Sequence, residues 1–463
     1  SSSLGGAAPE IAEGPSSSLG AQGCSGGSPS LEPPLPYPLA LSSSLGPNGQ
    51  AATPLLLPRG RRIPLPLHPA RPPAIVAPQT GAIMRASVIS SALVAALVGY
   101  GSTIALVLSA AAAVGATSDQ TASWVLAVCM AKAAGSALLS AWKRVPVVLA
   151  WSTPGAALVA ATQGITMAEA VGAFVLAGLL IALTGAIKPL GRAVAQIPDG
   201  VAAGMLAGVL LPFCLKGAGA AQTLPALVFP MIAIFLLVRL KNPALAVLAA
   251  LALGVALAFG LGQATLPDLA LPLPRVTFIA PDLRLDVLLG LGLPLYLVTM
   301  ASQNLPGFAT LRAHGFEPPV RAGLVMTGGL SALSGLFGAH TTSMAAITAA
   351  ICMGPDTHPD QAQRWKAGVV YAGFWALLGL FSPAILSVLT ALPPALMVAL
   401  VALALLGPLM GALSGAFTAP ATRFAATVTL AVTASGVAAF GIGAAFWGLL
   451  AGLLVQGIDR LRP

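Results

Sequence analysis

The sequence predicts an all-α polytopic membrane protein, with about 14 transmembrane segments arranged as two inverted sets of seven. Charged residues make up 8% of the chain and hydrophobic residues 57%, and the mean hydropathy is +0.91. So little charge cannot cover the surface of a soluble globule of 45.9 kDa. Apolar runs recur from Met84 to the carboxyl end, and most are long enough to cross a bilayer.

Residues 1–83 have a different composition from the rest of the chain. The pentapeptide Ser-Ser-Ser-Leu-Gly occurs there three times, beginning at Ser1, Ser16 and Ser42, and prolines are dense. Such a segment cannot bury a core, so we expect a disordered Pro/Ser/Gly-rich tail. The first methionine is Met84, which leaves the alternative that 1–83 is sequence upstream of the natural start of translation. The membrane domain is therefore 84–463.

Fourteen apolar runs can be placed in the membrane domain. The runs cover 87–111, 120–141, 152–165, 168–188, 197–216, 222–239, 242–262, 284–304, 319–337, 341–353, 364–382, 391–412, 420–436 and 438–458. The third and tenth hold only about 13 residues, and a helix of that length reaches about 20 Å against a hydrocarbon core of about 30 Å. We expect these two runs to be half-helices.

The charges of the predicted loops set the orientation. With the amino terminus inside, most Lys and Arg residues fall in cytoplasmic loops, and the outside loops carry only Lys216, Arg275 and Arg284. Basic residues collect on the cytoplasmic side of membrane proteins, and the bias holds only when both short runs count as crossings. We therefore expect both termini to be cytoplasmic.

The two short runs resemble each other. Ser152–Ala161 aligns without gaps to Thr341–Ala350, and five of the ten positions are identical. Because each run is the third of seven, the pair fits an inverted repeat, whose interrupted helices are the usual pointer to a transporter binding site. The alternative is two ordinary short core helices.

The chemistry of these two runs favours an anion. A helix that begins inside the membrane has N–H groups without intrahelical partners and a positive dipole end. The candidate contact residues combine N-cap side chains with small residues next to them. They are Ser152, Thr153, Gly155, Thr341, Thr342 and Ser343. Two such N-termini facing each other would hold a negatively charged substrate.

A third polar cluster ends the eighth run. Ser302, Gln303 and Asn304 lie in an apolar segment and are followed by Pro306 and Gly307. Polar side chains in lipid need partners or a cavity, so we predict that these three contact the substrate. The alternative is that they bridge neighbouring helices.

At these residues the chain resembles the benzoate/proton symporter (BenE) family. The resemblance is carried by Trp151–Leu158 after Val145 and Pro146, by Ser302–Gly307 and by Phe337–Thr342, and it covers essentially all of 84–463. This family is related to the uracil/xanthine permeases and the sulfate-permease-type anion transporters. The resemblance implies proton-coupled uptake of benzoate or a similar aromatic acid across the bacterial inner membrane, by a homodimer.

The resemblance also implies a division of the transporter domain. A core domain would hold the spans in 84–188 and 284–382, and a gate domain those in 197–262 and 391–458, as in an elevator mechanism. In nucleobase permeases the eighth span carries a glutamate, and this chain has Ser302 and Gln303 instead, which argues against a nucleobase. The ring of benzoate would need an apolar slot. The candidates for its lining are Tyr100, Trp151, Phe308, Phe337 and Met344.

Other function classes remain open to different degrees. The alternatives are a channel or uniporter for small anions, or a nucleobase-type permease on the same fold. An enzyme is disfavoured, since the sequence has no HExxH, GxSxG or phosphate-loop motif. We expect no metal and no cofactor, because the four cysteines lie far apart, and no nucleic acid, because the basic residues are scattered.

Two single residues complete the predictions. No Asp or Glu falls at mid-membrane, so His340, directly before the tenth run, is the candidate proton carrier. A neutral His340 that only donates a hydrogen bond is the alternative. Lys132 lies in the second run, where we favour a structural role, with the ammonium reaching the interface or a helix-end carbonyl, over a counter-charge for the substrate.

Overall fold

A computed structural model of the chain describes residues 85–187, 189, 197–265 and 274–461. The predicted tail and the proposed start at Met84 lie outside the described residues. Within them the chain is almost entirely helical, as the apolar runs predict.

The first part of the chain holds five helices and one strand. They are α1 (Ala86–Gly101), α2 (Ile104–Ala113), α3 (Ser118–Lys143), β1 (Leu149–Trp151), α4 (Thr153–Ala161) and α5 (Met167–Ala186). Thr117 and Thr166 cap α3 and α5, and in each case the Gln or Glu three residues later bonds back to the cap. The first predicted span corresponds to α1 and α2 together. It is broken at the polar pair Ser102-Thr103, which separates the two helices.

Three helices follow in the middle of the chain. They are α6 (Asp199–Thr223), α7 (Pro225–Lys241) and α8 (Pro243–Gly260). Helices α7 and α8 begin with proline, which fits the first helical position because no N–H is needed there.

The last part of the chain begins with a long irregular helix. Helix α9 (Leu285–Ala313) contains two π turns, Leu288–Gly292 and Met300–Asn304. The remaining elements are α10 (Val320–Gly335), β2 (Thr342–Met344), α11 (Ile347–Met353), α12 (Trp365–Leu380), α13 (Ser382–Thr390), α14 (Pro394–Thr418), α15 (Arg423–Ala434) and α16 (Ala444–Asp459). The second π turn coincides with the predicted polar cluster.

The strands correct the all-α prediction. β1 and β2 form a two-stranded antiparallel ribbon in which Trp151 pairs with Thr342 and Leu149 with Met344. Each strand leads directly into one of the two short helices. These helices are short as predicted, since α4 has nine residues and α11 has seven.

A second correction concerns the region after the predicted eleventh span. Helix α13 lies there as an extra short helix, and the helical stretch Gln361–Leu380 meets it at an angle of 59°. Pro383, at the start of α13, cannot continue the preceding helix without a break.

Seven helical segments of the described chain are long and apolar enough to cross a membrane. They are Ala86–Ala113, which combines α1 and α2, together with α3, α5, α6, α8, α9 and α14. The bent pair ending in α13 would make eight. The larger count of 14 spans stays a prediction.

Glycines allow some helices to pack very closely. A Cβ on Gly178 of α5 would lie 2.4 Å from the backbone N of Ala332 in α10, and one on Gly328 would lie 2.2 Å from that of Ala182. A Cβ on Gly217 of α6 would lie 1.9 Å from the Cβ of Ala402 in α14. Small residues let membrane helices approach in this way, and they fix the α5–α10 and α6–α14 pairs.

Candidate functional site

The candidate site is built around the strand ribbon. Its strands are antiparallel, so β1 leads into α4 at one end of the ribbon and β2 leads into α11 at the other. The backbone N–H of Ser152 donates to the carbonyl of Thr341 at 2.9 Å, which extends the pairing by one residue. Side chains alternate along a strand, so Trp151 and Thr342 share one face and Ser343 lies on the other.

Ser152 caps helix α4 as predicted. Its hydroxyl accepts a hydrogen bond from the backbone N–H of Gly155 at 3.1 Å and another from the hydroxyl of Thr299 at 2.9 Å. The Thr299 hydroxyl is also 2.8 Å from that of Thr341. Gly155 leaves room for this arrangement, because a Cβ there would lie 2.7 Å from Leu295 and from the Ser152 hydroxyl. The hydroxyl of Thr299 thus joins two of the predicted polar positions, Ser152 and Thr341.

The β2 side differs from the prediction. Thr341 and Thr342 do not cap a half-helix, because α11 begins at Ile347 and its cap position is Ala346, which has no side-chain acceptor. Two consecutive β-branched threonines favour extended backbone, and here they pair with β1. The gapless alignment is consequently four residues out of register, since Trp151 and Met344 are the residues that end the two strands.

The two faces of β2 are held by the core. Ser331 of α10 accepts a hydrogen bond from the backbone N–H of Thr342 at 2.8 Å and donates to its carbonyl at 3.2 Å. The hydroxyl of Thr342 is buried and has no hydrogen-bond partner among the described residues. Ser343 donates to the carbonyl of Ala150 at 3.4 Å. Thr342 and Ser343 are both fully buried, so their first role is in the ribbon.

The second π turn of α9 contains one side chain that holds β2 and one that has no hydrogen bond in the described structure. Asn304 is buried, and its Oδ1 accepts a hydrogen bond from the backbone N–H of Met344 at 2.9 Å. Ser302 donates to the carbonyl of Val298 in its own helix. Gln303 is partly exposed and forms no hydrogen bond with any described residue. Asn304 therefore holds β2 in place, and Gln303 is the member of the cluster that is left to contact a ligand.

The break between α1 and α2 adds a residue that sequence reasoning missed. The hydroxyl of Thr103 lies 3.0 Å from that of Thr153, at the first residue of α4. Thr153 is partly exposed, in contrast to buried Ser152. The signal in the sequence is the polar pair Ser102-Thr103 after Gly101, which interrupts the first apolar run.

Tyr100 lies among other aromatic rings. Its ring centre is 5.5 Å from that of Trp151 and 5.7 Å from that of Trp375. Its hydroxyl is buried without a hydrogen-bond partner among the described residues. Tyr100 therefore belongs to an aromatic cluster with Trp375 and with Trp151, the last residue of β1.

His340 has a defined tautomer. The indole N–H of Trp124 donates to its Nδ1 at 2.9 Å, and the ring is fully buried. An indole nitrogen can only donate, so Nδ1 carries no proton and the neutral ring carries its proton on Nε2. The backbone of Ser152 is a polar neighbour of this ring. The arrangement joins His340 to the start of α4.

Lys132 reaches neither the interface nor a helix-end carbonyl. Its side chain is fully buried, and Nζ lies 2.8 Å from the ring centre of Trp375 and 3.8 Å from that of Trp151. No described residue forms a hydrogen bond with Nζ. The ammonium therefore does not lie where we expected from the sequence. It lies against the faces of two indole rings instead.

Comparison with known proteins decides the family. The family model described as "Benzoate membrane transport protein" (BenE) matches residues 82–458. The chain belongs to the BenE family. It is 41% identical over 359 residues to the "Inner membrane protein YdcO" of Escherichia coli (strain K12), covering 77% of this chain and 92% of that protein. It is 35% identical over 371 residues to the "Benzoate membrane transport protein" of Acinetobacter baylyi, covering 80% and 94%.

Solved structures place this BenE protein in a fold shared with anion transporters. The transmembrane domain of a cyanobacterial bicarbonate transporter, BicA, matches with a TM-score of 0.52 at 16% identity, over 81% of this chain and 97% of that one. The anion transporter SLC26A9 matches with a TM-score of 0.54 at 12% identity, over 80% and 65%. The BenE family match and the apolar helices together indicate a multi-pass membrane transporter. Among the described residues, no group of His, Cys, Asp or Glu is arranged to hold a metal.

Proposed function

We propose that this BenE protein is a secondary active transporter that imports benzoate or a related aromatic carboxylate with protons across the bacterial inner membrane. The observation that carries the proposal is a capped helix, α4, that begins inside the apolar part of the protein beside a strand ribbon. Such an N-terminus favours an anion. The Acinetobacter baylyi relative, whose name states benzoate transport, supports the choice of substrate.

The carboxylate is proposed to bind at the first turn of α4. Thr153 in that turn is partly exposed. Gln303, in the second π turn of α9, is also partly exposed and has no hydrogen bond in the described structure, and we propose that it reaches the same carboxylate. Each can donate to a carboxylate oxygen. Ser152, Gly155, Asn304, Thr341, Thr342 and Ser343 support this site by holding the ribbon and the helix start. Tyr100 supports it from behind, through Trp151.

The inverted repeat and the elevator mechanism are part of the proposal. Helix α3 packs against α12 and α5 against α10, which pairs the second span with the eleventh and the fourth with the ninth. A two-fold axis that relates the two halves would exchange the α3–α12 pair with the α5–α10 pair. The same axis would map the β1–β2 pair and the α6–α14 pair onto themselves. This pattern supports a 7+7 arrangement of 14 spans with the proposed core and gate domains. The homodimer and the cytoplasmic termini remain proposals from the family resemblance and the loop charges.

The protonation state of His340 bears on how protons would be coupled to transport. The hydrogen bond from Trp124 supports the neutral ring, because a second proton on Nδ1 would face the indole N–H. A neutral His340 can donate from Nε2 toward the start of α4 without titrating. In this form of the proposal the proton enters as benzoic acid or through water.

Uptake by proteoliposomes tests the proposed function. The purified protein is reconstituted with a proton gradient, inside alkaline, and accumulation of radiolabelled benzoate is measured with salicylate, uracil and sulfate as competitors. We expect accumulation that collapses with a protonophore, and competition by salicylate alone. Uptake that ignores the proton gradient would favour the runner-up, a channel or uniporter, and competition by uracil would favour a nucleobase-type permease.

A further inference from the structure

Lys132 is a fully buried basic side chain with no acidic partner among the described residues. The ion pairs of the described chain join Arg284 to Glu169 and to Asp286, at the ends of helices α5 and α9. Lys132 instead lies in the middle of α3, with its Nζ over the indole rings of Trp151 and Trp375. A buried ammonium is costly unless another group compensates it.

The surroundings of Lys132 supply only partial compensation. Two indole faces attract a cation, but they do not neutralise it. The titratable groups around it are Cys129 on the same helix, Tyr100 of α1, Tyr371 of α12 and His340 before β2. None of these residue types is normally ionised to an anion at neutral pH. When Lys132 carries a proton, its positive charge therefore has no counter-ion among the described residues.

The position of this charge connects it to the candidate site. Trp151, whose ring lies 3.8 Å from Nζ, is the last residue of β1 and directly precedes the cap residue Ser152. Lys132 is also within electrostatic range of His340, which adjoins the same ribbon. The side chain of Trp151 therefore links Lys132 to the residue that precedes the cap of α4.

We propose that Lys132 is the counter-charge of the substrate anion, acting through space from behind the ribbon and making the site selective for anions over neutral analogues. The proposal rests on the carboxylate site at α4. Lys132 does not touch the substrate, because it is enclosed by Trp151 and Trp375, and it is a specificity-determining residue that acts at short range through a medium of low polarity. The bound carboxylate supplies the negative charge that the indole faces do not.

The test compares benzoate with benzamide, a neutral molecule of nearly the same shape. Binding of each to purified wild type, Lys132→Met and Lys132→Gln is measured by titration calorimetry, with thermal unfolding as a check of the fold. At separations of about 10 Å and an effective dielectric constant of about 20, loss of a unit charge weakens anion binding by roughly tenfold. We expect that loss for benzoate, with benzamide affinity unchanged.

Lys143→Met is the matched control. Lys143 lies on the same helix with its Nζ 3.6 Å from the ring centre of Trp142, but both side chains are exposed. We expect this variant to bind benzoate as the wild type does, because water screens the charge.

Two results would overturn the inference. One is an unchanged benzoate affinity in a folded Lys132 variant, and the other is an equal loss for benzoate and benzamide, which indicates a packing role. If the wild type binds no benzoate but binds another anion, such as bicarbonate, the proposed substrate fails. The Lys132 inference is then tested with that anion against a neutral compound of similar size.

Discussion

The two short helices of this BenE protein occupy matching places in the chain but differ at their starts. Helix α4 has nine residues and a Ser152 cap, and Thr153 in its first turn is partly exposed. Helix α11 has seven residues, begins after Ala346 and has no side-chain cap. The polar residues that precede α11 are used by the ribbon and by the clamps from Ser331 and Asn304.

The two short runs are similar in sequence, but this difference at the starts of α4 and α11 indicates that they have different roles. On the α4 side we propose that the start of the helix and the hydroxyl of Thr153 bind a ligand. On the α11 side the same residue types form a β-strand, and Ser331 bonds the backbone N–H and carbonyl of Thr342. We therefore assign anion binding to α4 and a structural role in the ribbon to β2, and four sets of substitutions test that assignment.

The largest effect is expected at Asn304. Asn304→Leu removes the acceptor for the backbone N–H of Met344, and a buried donor left unpaired costs about 1–3 kcal/mol. We expect a lower thermal unfolding temperature in detergent and little or no uptake of benzoate. Gln303→Leu is the control, because it should keep the stability of the wild type while weakening benzoate binding. Equal stability of the two variants would mean that the clamp is not needed.

A hydroxyl on each side of the ribbon gives the next comparison. Thr153→Val removes a donor from the proposed carboxylate site, and a hydrogen bond to a charged group contributes about 1.5–3 kcal/mol, so benzoate affinity should fall by about tenfold or more. Thr342→Val removes a buried hydroxyl that has no partner in the described structure, and it should leave the affinity unchanged. Calorimetric titration measures both. A larger loss for Thr342→Val would move the site to the β2 side.

Loss of the Ser152 cap of α4 should lower the free energy of unfolding by a smaller amount. Ser152→Ala loses the bonds from Gly155 and Thr299, and loss of an N-cap costs about 1 kcal/mol of stability. Ser152→Thr keeps the acceptor and should restore the stability. Ala346→Ser should add nothing, because residue 346 has helical φ and ψ angles rather than those of a cap. Chemical unfolding of the three purified variants checks this, and a gain from Ala346→Ser would contradict the asymmetry.

The smallest effect is expected at His340. His340→Gln keeps a polar group beside Trp124 but cannot titrate, and a neutral His340 predicts an unaltered pH dependence of benzoate accumulation. Uptake is measured at a series of external pH values with a fixed gradient. A lost or shifted pH dependence would restore His340 as the proton carrier.

The sequence predicted the half-helices because their length is too short for a bilayer, and it predicted the Ser152 cap because Ser, Thr and Pro have strong positional preferences. It did not predict the ribbon. Three-residue strands leave no periodic pattern, and Thr341-Thr342 is compatible with both a cap and an extended chain. The surroundings of Lys132 were also out of reach, since Trp375 is brought to it only by the packing of α12 on α3.

The location of the bound carboxylate tests the central claim most directly. A crystal structure with 4-bromobenzoate would locate the ring by the anomalous signal of bromine and the carboxylate by its density. We predict a carboxylate at the first turn of α4, within hydrogen-bond distance, about 3 Å, of Thr153 or of Gln303 from α9. A carboxylate bound at the start of α11, or a ligand away from the ribbon altogether, would contradict it.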